Sequence, residues 1–360
     1  MSRVYNFYAG PATLPYSVLE QLRDTIVDYH GMGMSLIETS HRSSEYDEVH
    51  NQAIGLVRDL LGLGDDFEVL LLGGGATLQF GMVPMNFLPQ NARCAFVVSG
   101  SWAKKALADA QKIGSVDVLF DGKESGYTTL PEPSRLDVSQ HAYLHITSNE
   151  TIGGLQWKAW PDTGSVPLVV DMSSDILSRP IPVDRFDFIY AGAQKNLGPA
   201  GVTIVIARKE LVAKSPDALP AYLSYKTHVE KNSLYNTPPV FSIYAMKLVL
   251  DWVKIQGGAS AMAEINDRKA ALVYDAINDL GEFYSCPVDE RYRSTMNVVF
   301  RLPTEELETQ FVAEAKDSGM IGLKGHRSVG GCRASLYNAM PLEGAEQLAS
   351  FMRDFAKKHG

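Results

Sequence analysis

The sequence predicts an α/β protein: a large domain with a mostly parallel seven-stranded sheet covered by helices, followed by a small α+β domain at the C-terminus. From about residue 67, short apolar runs alternate with Gly-, Ser- or Asp-rich turns and helical stretches, the order expected of strand–helix units. Several runs are continuous in Val, Ile, Leu and Phe, as in strands that helices cover on both faces. After Ala207 this pattern changes, which indicates the second domain.

Seven apolar runs are the expected strands of the sheet. In chain order they span residues 68–72, 94–98, 116–120, 142–147, 168–170, 186–190 and 202–207. In sheets of this kind, ligands bind beyond the carboxyl ends of the strands. We therefore expect the functional residues in the turns that follow these runs.

The C-terminal part has a different order of elements. A Pro-containing connector, 215–239, leads to helices at 240–255 and 259–280, a strand at 296–302, a helix at 305–317, a strand at 333–337 and a helix at 343–358. We place the domain boundary between Gly257 and Gly258. Residues 1–257 then form the large domain and residues 258–360 the small one.

Composition excludes several classes of protein. With 33 Lys+Arg against 42 Asp+Glu, the net charge is −9, whereas a nucleic-acid binder would have a basic excess. No apolar run approaches the ~18 residues of a membrane span, and the N-terminus lacks the apolar region of a signal peptide. The three cysteines are scattered and form no CxxC pair, so we expect a reduced, cytoplasmic location and no metal site.

Lys195 is a candidate for covalent chemistry. It stands alone among small residues in the segment 191–201, directly after a predicted strand. A lysine in a tight apolar pocket loses solvation, which lowers its pKa and makes the neutral amine available to attack a carbonyl. The alternative is an ordinary solvated loop lysine.

Asp171 directly follows the apolar run 168–170, which is the predicted strand before the one that leads to Lys195. A carboxylate at this position would be partly buried and would need a partner. The protonated ring nitrogen of pyridoxal phosphate is such a partner, because the cofactor withdraws electrons well only while that nitrogen keeps its proton. The alternative is that Asp171 is the N-cap of a following helix, with Ser173 and Ser174 in its first turn.

Two further turns fit a flat, phosphorylated ligand. Gly73-Gly74-Gly75-Ala76 lies between a strand and a helix, where free backbone N–H groups bind anions. Neither a Walker A loop nor a dinucleotide pattern is present, so a phosphate outside a nucleotide fits best. Trp102 follows another strand and could stack on a ring, with core packing as the alternative.

Five more motifs carry a family resemblance. They are Asn6-Phe7-Tyr8-Ala9-Gly10-Pro11-Ala12, Ser40-His41-Arg42-Ser43, Ser148-Asn149-Glu150-Thr151-Ile152-Gly153-Gly154, Tyr235-Asn236-Thr237-Pro238-Pro239 and Arg333-Ala334-Ser335-Leu336-Tyr337-Asn338-Ala339. Together with the segments around Asp171 and Lys195, they resemble the class V aminotransferases of fold type I and, more narrowly, the phosphoserine aminotransferase family. The resemblance covers essentially the whole chain.

The resemblance implies how pyridoxal 5'-phosphate is held. Lys195 would bind it covalently, and Asp171 would pair with the ring nitrogen. Trp102 would stack on the ring and Thr151 would bond the phenolic oxygen. The implied phosphate ligands are Gly75, Ala76 and Gln194 from one subunit and Asn236 and Thr237 from its partner, in a homodimer with shared active sites. Ala76 stands where some relatives carry Arg, so we expect it to contribute its backbone N–H.

Clustered cations in an acidic chain indicate a doubly anionic substrate. Arg pairs with carboxylates and phosphates through two hydrogen bonds, and His adds a donor. The resemblance implies that Arg333 binds the α-carboxylate. It assigns the distal phosphate, or the side-chain carboxylate of glutamate, to His41, Arg42, His326 and Arg327. The alternative for each is an ordinary surface charge.

The implied reaction is a reversible ping-pong transamination. It converts O-phospho-L-serine and 2-oxoglutarate into 3-phosphohydroxypyruvate and L-glutamate, in serine biosynthesis. Phosphorylated hydroxythreonine, from pyridoxine biosynthesis, is a possible second substrate. One alternative is a cysteine desulfurase with Cys332 as its nucleophile. Another is a non-catalytic binding protein, although that would not need Lys195 and Asp171 together.

Overall fold

The structure is a computed structural model that describes residues 3–360. Among these residues, the strands are β1 Tyr5–Asn6, β2 Phe67–Leu72, β3 Arg93–Val98, β4 Ser115–Asp121, β5 Leu144–Thr147, β6 Asn149–Glu150, β7 Leu155–Gln156, β8 Leu168–Asp171, β9 Phe188–Gly192, β10 Thr203–Arg208, β11 Asn297–Phe300, β12 Met320–Ile321 and β13 Cys332–Ser335. The α-helices are α1 Tyr16–Thr25, α2 Ser44–Leu61, α3 Gly75–Phe87, α4 Ser101–Ile113, α5 Lys209–Val212, α6 Tyr225–Glu230, α7 Val240–Ile255, α8 Gly258–Asp279, α9 Glu305–Asp317 and α10 Leu342–His359. No helix in the described part of the chain is both long and apolar enough to cross a bilayer.

A seven-stranded sheet forms the centre of the molecule. Its order is β2-β10-β9-β8-β5-β3-β4. β10 runs antiparallel to both of its neighbours, and the remaining pairs are parallel. The predicted α/β fold class is confirmed, and each of the seven predicted runs supplies one strand of this sheet.

β9 begins two residues later than predicted. Residues 183–185 form a 3-10 turn that ends at Phe186, whose N–H donates to the Val183 carbonyl. The strand then continues through Ala191 and Gly192, because these small residues pair with Ile204 and Thr203 of β10. The turn that holds Lys195 therefore starts at the edge of the sheet.

The strands are buried on both faces. Val69 and Leu71 of β2 pack into the core that includes α1, α2 and α7, whereas Leu70 and Leu72 pack into the core that includes α3, α4 and α6. This burial explains why the strand sequences are continuous apolar runs rather than alternating ones.

α2 runs antiparallel to β2. It begins after Ser43, whose hydroxyl accepts the Tyr46 N–H, and it ends at Gly62, which has a left-handed φ of 64°. A short loop then leads to the amino end of β2. Since 18 residues of helix extend about 27 Å, the start of α2 lies toward the carboxyl edge of the sheet. The segment with His41 and Arg42 is therefore at that edge.

The C-terminal elements form a core of their own. β11 and β13 pair antiparallel, and α8, α9 and α10 pack around Val298, Phe311 and Leu348. β1 pairs parallel with β12, so the N-terminal segment joins this part of the molecule. α7 and α8 meet at Gly257, whose φ is 101°. The division between residues 257 and 258 stays a prediction.

Candidate active site

Lys195 lies in the turn that follows β9, at the carboxyl edge of the sheet. Its Nζ donates to Thr151 Oγ1 at 2.7 Å and lies 5.4 Å from the centre of the Trp102 ring. Burial lowers the pKa of the amine to about 8, although the nearby carboxylates of Asp171 and Glu150 oppose this shift. The partial burial of Lys195, its bond to Thr151 and its lowered pKa favour a reactive amine over an ordinary solvated lysine.

Asp171 is the last residue of β8 and is only 4% exposed. Its Oδ1 accepts the Ser173 N–H at 2.9 Å. Burial raises the pKa of this carboxyl, and the charge of Lys195 lowers it. Turns follow Asp171 instead of a helix, so the N-cap alternative is wrong. A buried carboxylate at the end of a strand, near enough to Lys195 for the two charges to interact, fits a partner for the ring nitrogen of pyridoxal phosphate.

Trp102 and Thr151 flank the amine of Lys195. Trp102 lies in the first turn of α4 and is partly exposed, and it also packs against the core that includes α3 and α4. Its backbone N–H donates to Glu150 Oε2 at 3.2 Å. Thr151 follows Glu150 directly and is buried. Sequence reasoning assigned no role to Glu150: its position beside Thr151 places it near the site but does not identify the start of α4 as its partner.

The glycine-rich turn and Gln194 lie on either side of β10. Gly74 and Gly75 have φ values of 85° and 67°, which only glycine adopts freely. α3 begins at Gly75, so the first N–H groups there have no partner within the helix. Thr203 pairs with both Leu72 and Gly192, so the turns after β2 and β9 are about 10 Å apart. Gly75, Ala76 and Gln194 thus lie near one another at the same edge of the sheet.

Arg333 and His326 line a cavity of ≈ 390 Å³. The Nη1 group of Arg333 donates to the Thr151 carbonyl at 3.2 Å, and the buried Nε of Arg333 has no partner in the described part of the chain. Burial lowers the pKa of His326, and the charges of Arg333, Arg327 and Lys105 lower it further. Sequence reasoning missed Lys105. A cavity of ≈ 730 Å³ elsewhere contains none of the predicted site residues.

A single chain does not bring every predicted residue to Lys195. Among residues 3–360, no hydrogen bond or ion pair links Lys195 to His41, Arg42, Asn236 or Thr237. The His50 ring of α2 bonds the Asn232 carbonyl at 2.8 Å. The segment before α2, with His41 and Arg42, therefore lies on the same flank of the molecule as the segment after Asn232, with Asn236 and Thr237. Arg42, Asn236 and Thr237 are exposed there. Their roles in an active site stay predictions.

The N-terminal segment also covers Lys195. Ala12 N–H donates to the Gln194 carbonyl at 2.9 Å, and the Tyr337 hydroxyl donates to the Ala9 carbonyl at 2.8 Å. A Cβ added to Gly10 would lie 3.4 Å from Lys195 Cγ. The signal for this contact was the motif at residues 6–12, to which no individual role was given.

Cys332 cannot serve as an accessible nucleophile. It lies in β13, is 1% exposed, and burial raises the pKa of its thiol. A thiol of this kind is protonated and inert near neutral pH. The cysteine desulfurase alternative therefore lacks its essential residue.

Known proteins are similar to this chain over most or all of its length. The family model described as "Aminotransferase class-V" matches residues 4–348. The phosphoserine aminotransferase of Halalkalibacterium halodurans is 53% identical over 360 residues, 100% of both chains. The solved phosphoserine aminotransferase of Bacillus circulans subsp. alkalophilus is 52% identical, with a TM-score of 0.98 and 99% of each chain covered. The pyridoxal-phosphate-bound enzyme of Trichomonas vaginalis is 34% identical, with a TM-score of 0.90, covering 98% of this chain and 100% of that one.

Proposed function

This chain belongs to the class-V aminotransferases and, within them, to the phosphoserine aminotransferase family, and from that premise we propose how its own residues act on their substrates. The comparisons confirm the predicted family, enzyme class and cofactor. The chain is a pyridoxal-phosphate-dependent aminotransferase. The relatives named above are phosphoserine aminotransferases, which favours this activity over a cysteine desulfurase or a non-catalytic binding protein.

The proposed substrates are O-phospho-L-serine and 2-oxoglutarate, converted into 3-phosphohydroxypyruvate and L-glutamate. One observation carries this proposal: Thr151 contacts both the reactive amine of Lys195 and the guanidinium of Arg333. Its hydroxyl accepts from Lys195 Nζ, and its carbonyl accepts from Arg333. A substrate whose α-carboxylate pairs with Arg333 therefore has its Cα close to the amine.

Four residues are proposed to bind and use the cofactor ring. Bound pyridoxal phosphate supplies an aldehyde that condenses with amines and a ring that accepts the electron pair left at the substrate Cα. Asp171 would hold the proton on the ring nitrogen, Trp102 would cover one face of the ring, and Thr151 would bond its phenolic oxygen. The neutral amine of Lys195 would carry the proton from the substrate Cα to C4′, the carbon that bears the cofactor's aldehyde.

The distal anion is assigned to the remaining cations. Phosphate and carboxylate both accept paired hydrogen bonds from Arg, so one pocket can serve both halves of a ping-pong reaction. His326 and Arg327 belong to the chain that holds Lys195. His41 and Arg42 are proposed to come from the other subunit. Phosphorylated hydroxythreonine carries the same α-carboxylate and phosphate and stays a predicted second substrate. A role in pyridoxine biosynthesis also stays a prediction.

A homodimer is proposed from the exposed flank. Ile26, Ile37 and Phe241 are exposed around one small cavity, and the flank also holds the segments with Arg42 and Asn236. Exposed apolar side chains next to polar residues that do not contact the site of their own chain are typical of an interface with a second copy of the chain. A cytoplasmic location is proposed from the three free cysteines.

Replacing Arg42 with Ala is expected to raise KM for phosphoserine by roughly 10- to 100-fold, from loss of a charge-assisted hydrogen bond. Steady-state kinetics with phosphoserine and with glutamate measure the effect. Arg135→Ala, which alters an exposed arginine of a surface turn, is the matched control. An unchanged KM for both substrates would remove Arg42 from the anion pocket.

Hybrid dimers test whether Arg42 acts across subunits. Chains carrying Lys195→Ala and chains carrying Arg42→Ala are expressed with different affinity tags, and the hybrid is isolated. If Arg42 serves the partner's Lys195, one of the two sites is native, so about half of the wild-type activity is expected. If Arg42 serves its own chain, the hybrid is no more active than the Arg42→Ala parent, and the shared-site proposal is wrong.

The rate of cofactor capture is expected to level off above pH 8. Burial lowers the pKa of Lys195 from 10.5 to about 8, so the fraction of neutral amine rises with pH until about pH 9 and then saturates. Stopped-flow growth of the visible band after mixing apoenzyme with pyridoxal phosphate measures the rate. A rate that still rises tenfold per pH unit near pH 9.5 would indicate an ordinary solvated lysine.

A further inference from the structure

Glu150 is a buried carboxylate that the reaction outlined above does not use. It is 1% exposed, and the salt bridges of the described residues include none to it. Its oxygens accept the backbone N–H of Trp102 at 3.2 Å, the backbone N–H of Ala103 at 3.1 Å and the hydroxyl of Ser99 at 3.4 Å. The acidic group thus binds the amino end of α4, where N–H groups and the helix dipole favour negative charge.

This carboxylate connects two opposite parts of the Lys195 site. On one side it holds the backbone of Trp102, whose indole N–H has no partner within residues 3–360. On the other side, Glu150 is the chain neighbour of Thr151, which accepts from Lys195 and from Arg333. Trp102 and Thr151 therefore cannot move apart while the carboxylate stays bound to α4.

Gly100 leaves room for this contact. A Cβ added there would lie 2.6 Å from Glu150 Cδ and 2.7 Å from Oε2. The backbone of Gly100 is extended, with φ of 172°, so the restriction is steric and not conformational. Even the smallest side chain would push the carboxylate away from the N–H groups.

The charge state of Glu150 depends on the same surroundings. Burial raises the pKa of its carboxyl to about 7, and the N–H donors of Ala103 and Trp102 oppose that shift. The negative charge of Asp171 raises the pKa and the positive charge of Lys195 lowers it. A neutral carboxyl would accept these N–H bonds less strongly than a carboxylate does.

We propose that Glu150 is a positioning residue for transamination: by binding the start of α4, its carboxylate fixes Trp102, which faces the cofactor ring, relative to Thr151, which bonds the phenolic oxygen of that ring. This inference rests on the function proposed above. It requires no direct contact between Glu150 and substrate, and it predicts that loss of the carboxylate changes the cofactor environment before it changes the fold.

Glu150→Gln, studied as the holoenzyme, tests the inference. Gln has the same shape but presents an NH₂ group to one of the backbone donors, so one charge-assisted bond is lost. We expect amide hydrogen exchange at Trp102 and Ala103 to become roughly 10-fold faster or more. We also expect a weaker visible circular dichroism of the bound cofactor and a lower kcat. Asp187→Asn is the matched control, because Asp187 accepts the Leu168 N–H at the opposite end of the sheet.

Gly100→Ala provides an independent variant, since it displaces the carboxylate without removing it. It should reproduce the faster exchange and the weaker dichroism. Wild-type protein without a visible cofactor band would overturn the proposed function itself. Wild-type protein with the band, together with unchanged exchange and dichroism in Glu150→Gln, would overturn the positioning role alone. Should Glu150→Gln not fold, Gly100→Ala and Glu150→Asp, which withdraws the carboxylate by one methylene, decide between the same outcomes.

Discussion

Lys195→Ala is expected to lower turnover by roughly 10⁴-fold or more, because alanine can neither attack the cofactor aldehyde nor move the Cα proton. The fold should survive. Lys195 lies in a turn, and its amine makes one recorded hydrogen bond, to Thr151. Single-turnover kinetics with phosphoserine measure the chemical step, and thermal unfolding measures stability.

Lys269 provides the matched control for this substitution. It is also buried, and burial lowers the pKa of its amine to about 7. Its Nζ, however, donates to the carbonyls of Leu336, Tyr337 and Met340 at 2.8 to 3.1 Å. Lys269→Ala should therefore lower the melting temperature, because three carbonyls lose their donor. A Lys195→Ala protein that still turns over within tenfold of wild type would contradict the assigned role.

Asp171→Asn is expected to lower kcat by roughly 100- to 1000-fold, the usual cost of removing one preorganised charge from an active site. Asn keeps the volume of the side chain but cannot stabilise a proton on the ring nitrogen, so the ring becomes a weaker electron acceptor. The kcat for phosphoserine and the visible spectrum of the cofactor measure the effect.

The control for Asp171 is Asp187→Asn. Asp187 is also a partly buried aspartate that accepts a backbone N–H, but it lies at the other end of the sheet. We expect its kcat to stay within a factor of about three of wild type. If Asp171→Asn behaved in the same way, Asp171 would be a structural residue and not a partner of the ring.

Sequence patterns located the parts of the fold and site that depend on local order. Buried strands need continuous apolar runs, so the seven strands of the central sheet could be found from such runs and the turns between them. The rule that ligands bind at the carboxyl ends of strands then singled out Asp171, Trp102 and Lys195. β9 was placed two residues early, because Phe186, which caps the 3-10 turn at 183–185, is itself apolar and buried.

Other parts of the site depend on contacts between distant segments. Glu150 binds the start of α4, 48 residues away in the sequence, and an acidic residue in a strand carries no local sign of such a partner. The same holds for Gly10, which lies against Lys195. Burial lowers the pKa of both Lys269 and Lys195, and only their neighbours distinguish them. Lys269 donates to three backbone carbonyls, as a structural lysine does, whereas Lys195 donates to the Thr151 hydroxyl in the candidate site. The assignment of Arg42, Asn236 and Thr237 depends on a second chain.

Borohydride reduction of the holoenzyme, followed by peptide mapping, tests the role of Lys195 most directly. Reduction converts the bond between the cofactor and its lysine into a stable one, so the modified peptide identifies the amine. We predict a single labelled peptide that contains Lys195, and no label in the Lys195→Ala protein. Label on the Lys269 peptide or on any other lysine, or no label in a protein that binds the cofactor, would contradict the assignment.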